Sequence, residues 1–176
     1  MTINKLGRIT AITILASLAA VAQDNPRFEV GIRGGGGSYG AFDDSRSNPL
    51  ASIGVEACAF CNGHAGLFAE YSHWLPTATV PSSAVNSADL FGFGLRLQGK
   101  RRVRPFFDIG IAVGRDTFYR SGGGILTAHS TAGAVFGAGV MFPLGKRLYL
   151  RPQFHVYPMS SMHIAASGAL GLGWRF

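Results

Sequence analysis

Residues 89–98 run Asp89-Leu90-Phe91-Gly92-Phe93-Gly94-Leu95-Arg96-Leu97-Gln98. Phe91, Phe93, Leu95 and Leu97 occupy alternate positions, opposite Gly92, Gly94, Arg96 and Gln98. Successive side chains of a strand point to opposite faces, so this period of two describes a β-strand with one apolar and one polar face. A helix of the same residues would mix both sets around its circumference.

The pattern recurs on both sides of this stretch. Upstream, residues 27–34, 50–58 and 65–74 set Phe28, Val30 and Ile32, then Ala51, Ile53, Val55 and Ala57, then Leu67, Ala69 and Tyr71 against polar or glycine neighbours. Phe68 falls out of phase. Downstream, residues 103–113, 130–142, 147–157 and 166–176 repeat it, ending on Leu170, Leu172, Trp174 and Phe176 opposite Gly171, Gly173 and Arg175. The pattern predicts eight strands of about ten residues, the length a tilted strand needs to cross a bilayer, in an even number that suits a closed antiparallel barrel. The expected fold is all-β, an eight-stranded antiparallel up-and-down transmembrane β-barrel.

Connections alternate in length. Cys58–His64, Gly99–Arg102 and Pro143–Lys146 are tight, whereas Gly34–Pro49, Leu75–Ala88 and Arg115–Ala128 are longer, and Pro158–Ile164 is a short exception. Short turns at one end and long loops at the other mark outer-membrane barrels. The Gly34–Gly37 and Gly122–Gly124 runs read as flexible loop bases, since neither opens a helix or ends in Lys-Ser/Thr as a phosphate loop would. Pro152, well inside its strand, reads as a weak point or bulge. Trp74, Phe118, Tyr119, Tyr157 and Trp174 near strand ends fit interfacial aromatic girdles.

Alternation alone leaves open which face meets water. Charged residues make up 14% of the 176-residue chain, too few to cover a soluble surface, and glycine contributes 25 residues. Six arginines (Arg27, Arg33, Arg96, Arg104, Arg151, Arg175) and four acids (Glu29, Glu56, Glu70, Asp108) share the polar face. Such balance suits a confined lumen in which charges pair, with the apolar face toward lipid. Residues 1–22 read as a secretory signal peptide: Lys5 and Arg8 precede an apolar run that ends at Ala20-Val21-Ala22. Residues 23–176 then form the barrel domain of an exported protein.

The chain ends Gly171-Leu172-Gly173-Trp174-Arg175-Phe176. The terminal Phe176, Trp174 before it and Gly171 resemble the outer-membrane assembly signal, although Ala169 stands where that pattern prefers a polar residue. From about residue 26 onward the chain resembles the small eight-stranded outer-membrane barrels, the OmpA-type and outer membrane protein beta-barrel domain families. The resemblance implies an outer membrane of a Gram-negative-type cell, with outer-membrane lipid and the assembly machinery as partners, and a non-catalytic structural or surface-interaction role. It implies no cofactor.

Other chemistry is weakly represented. Cys58-Ala59-Phe60-Cys61 with His64 supplies three ligands where a zinc site needs four, or three plus water, and reads as a disulfide or a pair of turn thiols. Lipid A deacylases of this size use His and Ser two residues apart on a late, lipid-facing strand. Here Tyr157 stands two residues after His155 where that Ser should be, and Ser160, Ser161 and His163 follow only in a loop; an enzyme of that kind is one alternative and a soluble periplasmic ligand-binding barrel the other. His155 itself reads as a lumen histidine in a polar network. A sequence pI near 10.0 raises nucleic acid as a partner, but the arginines alternate into one strand face, which argues against it. The basic turns suit anionic lipid or periplasmic polymer instead.

Overall fold

The computed structural model describes residues 28–41, 48–61, 63–77, 85–119, 126–160 and 163–176. The signal segment 1–22, Arg27 and the run Gly122–Gly124 lie outside them. The elements are β1 (Phe28–Ala41), β2 (Asn48–Ala59), β3 (Ala65–Pro76), β4 (Val85–Gln98), β5 (Arg104–Tyr119), β6 (Leu126–Pro143), β7 (Leu148–Pro158) and β8 (His163–Arg175). Each strand pairs antiparallel with the next, and β1 pairs with β8, closing the sheet. Closure leaves no edge to be covered or to aggregate.

Alternation decides the faces. The apolar set points out: Ile53 and Ile111 are each 63% exposed, and Phe91, Phe93 and Leu170 are more than half exposed. The polar set points in, with Arg96 1% exposed and Arg151 and His155 fully buried. A contiguous apolar exterior of this extent does not suit a water-soluble barrel, which argues against the periplasmic ligand-binding alternative.

Register sets the tilt. Partner positions followed from Phe28 through Ala59, Leu67, Leu95, Ile109, Phe136, Val156 and Ala166 return to β1 at Ser38, ten residues further on. Rows of partners therefore climb toward the loop end in passing from β1 to β8, the stagger that closure of a tilted sheet requires. The start of β1 and the end of β8 lie with the three tight turns, at the end opposite the longer connections.

Several local expectations change. Gly34–Gly37 is not a loop base. It lies within β1, paired on one side with Ile53–Leu50 and on the other with Leu170–Ser167. Glycine carries no side-chain alternation, so the sequence pattern stops while the ladder continues. The connection after β1 shrinks to residues 42–47, and β5 continues through Arg115 to Tyr119. Opposite Arg151 and Pro152 the β6–β7 ladder is interrupted, then resumes in the same register, so Pro152 weakens the ladder without a bulge. Phe68 is out of phase because it is a lumen residue, 1% exposed. Trp74 and Tyr157 are fully buried inside the barrel rather than girdling it, whereas Trp174 does stand on the outer face.

Candidate functional site

The lumen is filled in layers. At the tight-turn end Arg175 Nε donates to Glu29 Oε1 at 2.7 Å, and its guanidinium lies 4.8 Å from the Tyr149 ring centre. Phe106, Met141 and Tyr149 pack beside them. Arg104 is half-buried at this end, and its Nε has no hydrogen-bond partner among the described residues.

The middle layer is ionic. Arg96 Nε and Nη2 donate to the two oxygens of Asp108, both at 2.7 Å, the paired-fork geometry that a guanidinium makes best. Arg151 pairs with Glu56, whose second oxygen is 4.0 Å from Arg96 Nη2. The Phe106 ring centre is 4.5 Å from Arg96 and 5.1 Å from Arg151, so the cations lie against an aromatic ring as well as acids.

Above it, Arg33 Nη1 meets Glu70 Oε2 at 2.7 Å and Arg33 Nη2 donates to the Tyr157 hydroxyl at 2.9 Å. That hydroxyl donates in turn to Glu70 Oε1 at 2.7 Å. His155 bridges the layers: Nε2 is 3.4 Å from Glu70 and 3.6 Å from Asp108. Toward the loop end Tyr39 donates to Asp116 at 2.7 Å. The Trp74 ring meets Tyr157 edge-on at 6.3 Å, among Leu50, Leu90, Val135 and Met159. Buried charges persist where partners compensate them, and here acids and bases alternate through the bore.

Lumen glycines make this filling fit. A Cβ at Gly137 would stand 2.5 Å from the His155 ring, and one at Gly173 would overlap Tyr149. The bore of an eight-stranded barrel is just wide enough for side chains, so a bulky residue on one strand needs a bare position opposite.

Of the ten charged residues anticipated for the lumen, Arg27 lies outside the described residues. Glu29, Arg33, Glu56, Glu70, Arg96, Asp108, Arg151 and Arg175 come together as described, while Arg104 stays at the rim. The sequence reading missed Asp116 and Tyr39. Asp116 keeps the parity of Asp108, but outward Arg115 beside it imitates a polar loop; Tyr39 is hidden behind the glycine run. Cys58 and Cys61 are joined by a disulfide across the β2–β3 turn. At that turn Phe60 takes a φ of 62°, in the left-handed region. His155 and Tyr157 face the lumen, so this stretch presents no lipid-facing pair of the deacylase kind. No group of three or more His, Cys, Asp or Glu able to hold a metal occurs among the described residues.

A closed sheet with an apolar exterior and a charged, packed interior defines an integral membrane β-barrel. The chain belongs to the outer membrane protein beta-barrel domain family, whose model matches residues 9–176. The fold is similar to that of Neisserial surface protein A, with TM-score 0.70 and 13% identity over 85% of this chain and 97% of that one. It is similar to Ail, the attachment invasion locus protein of Yersinia pestis, with TM-score 0.63 and 13% identity over 86% and 99%. The N-terminal barrel of Pseudomonas aeruginosa OprF gives TM-score 0.59 and 16% identity over 88% and 100%. No curated protein matches the chain.

Proposed function

We propose that this protein is a non-catalytic outer-membrane barrel whose lumen is a plug and whose working surface is the loop end. The observation that carries this reading is the burial of the bore. Arg151, His155, Tyr157, Trp74 and Tyr39 are each fully buried at successive levels, so side chains occupy the path an ion would take. A role in envelope structure or surface interaction follows from a rigid scaffold that displays connecting segments at one end. The family's description places its members in the outer membrane, and Ail, which shares the fold, has been crystallised with the heparin analogue sucrose octasulfate. That supports a surface-interaction role. Outer-membrane lipid surrounds the apolar band, and the last strand, with Gly171, Trp174 and Phe176, serves as the signal to the assembly machinery. Residues 1–22 direct export and are removed.

Fractionation of cells expressing the full chain tests this. An outer-membrane band that migrates differently boiled and unboiled, with an N-terminus at residue 23, supports a folded, processed barrel. Insertion into a planar bilayer should give no steady ion current. A reproducible current through the purified barrel would overturn the plug.

A further inference from the structure

Two charged strand residues stand on the outer face among the described residues, Asp89 of β4 and Arg115 of β5, and they are cross-strand partners. His73 of β3 is the partner of Asp89 on its other side. Asp89 Oδ1 accepts from the Tyr71 hydroxyl at 2.6 Å and lies 2.7 Å from His73 Nδ1, which leaves His73 Nε2 for another contact. Arg115 is exposed, and no carboxylate of the described residues lies within 4.0 Å of it. A charge at the edge of a membrane's hydrocarbon needs a partner, and a guanidinium takes phosphate with two parallel hydrogen bonds.

Tyr71 connects this cluster to a groove of about 730 Å³ on the outer face of β1–β4 and the adjoining β8 and start of β7. Its floor is Val30, Ala57 and Ala69, successive partners with small side chains. Trp174 bounds it on one side, and Tyr71 with Phe91, ring centres 4.8 Å apart, on the other. Rows climb toward the loop end from β1 to β5, so the polar cluster lies on the loop-end side of the apolar groove. We infer that groove and cluster together form a seat for one phosphorylated membrane lipid of the loop-end leaflet. An acyl chain covers Val30, Ala57 and Ala69, the phosphate meets Arg115, and His73, oriented by Asp89, supplies the second headgroup contact. No Ser or Thr hydroxyl hydrogen-bonds His73 among the described residues, so the arrangement binds rather than activates a nucleophile.

The test uses the purified full barrel in phosphatidylcholine nanodiscs doped with diphosphoryl lipid A, with retained lipid read by native mass spectrometry after release into detergent. One lipid A should remain on the unaltered protein in preference to phosphatidylcholine. Arg115→Gln should lower retention on the order of tenfold, the scale of a charge-assisted hydrogen bond, and Arg115→Lys should lower it less. Ala57→Phe fills the groove floor without touching a charge and should lower retention too. Both sites face outward, and the boiled-versus-unboiled gel shift reports that each variant is folded. Equal retention by Arg115→Gln and the unaltered barrel, or no preference over phosphatidylcholine, overturns the seat. Neither fractionation nor conductance enters this readout, so its failure leaves the plug and envelope role standing.

Discussion

The two faces of the same strands obey opposite rules. Along β5, Asp108 is fully buried and gripped by Arg96, while Ile109 and Ile111 on either side of the next pleat are exposed. In a water-soluble fold the apolar residues would be jigsaw-packed and the charges solvated. Here the lumen carries most of the specific contacts, and away from the Tyr71–His73–Asp89 cluster the outer face answers mainly to the solvent it meets. Substitutions inside should therefore act through named partners, and substitutions in the apolar band through depth in the bilayer.

Breaking a lumen pair should have the largest effect. Arg96→Leu leaves Asp108 buried without its fork and should lower unfolding stability by about 3–5 kcal/mol. Denaturant titration in detergent or lipid measures it. Arg96→Leu combined with Asp108→Leu should recover most of the loss, because no lone charge remains. A double variant as unstable as the single one would show that the pair does not explain the defect.

On the outer face, Ile111→Arg near the middle of the apolar band should cost about 2–4 kcal/mol in lipid, and Thr117→Arg nearer the loop end about 0–1 kcal/mol. Equal costs at the two depths would deny that lipid covers Ile111. Smaller still is the contrast between glycines. Gly137→Val pushes into the His155 ring and should cost about 1–3 kcal/mol, the price of overpacking. Gly168→Ala has nothing within 4 Å on the outer face, and should stay within about 0.5 kcal/mol by the same titration.

Strand number and order were legible because eight segments alternate apolar and polar residues, and Phe91 to Leu97 do so without interruption; facing was legible only once the sparse, balanced charge was added. Strand ends were not. The alternation lapses at Gly34–Gly37 and at Gly114-Arg115-Asp116, where backbone pairing continues under residues that give no facing signal. For the lumen, residue type and parity identified most of its charged members, since charge on a strand's polar face has one place to go in a narrow barrel. The pairings were hidden. Arg33 meets Glu70 through register and tilt, and His155 joins both layers only because β7 lies across the bore from β3. Trp74 was misplaced because an aromatic near a strand end suits either face. Its indole donates to Ser72, a lumen partner that spacing alone does not reveal.

The glycine run of β1 also bears on how the barrel closes. The β1–β8 ladder joins the two most distant strands of the sequence, so its loop-closure entropy is the largest of the eight and it should zip late. Through Gly34–Gly37 no side chain distinguishes one alignment from the next, and a slip by one residue would invert every facing. The latch must therefore lie at the flanks of the run. Glu29 held by Arg175 and Arg33 held by Glu70 sit at one end, and Tyr39 held by Asp116 at the other. The bare centre lets the closing edges slide freely past one another until these two clasps engage, so the rate of the last folding step should respond to Tyr39 and Glu29 far more than to Gly34–Gly37 between them.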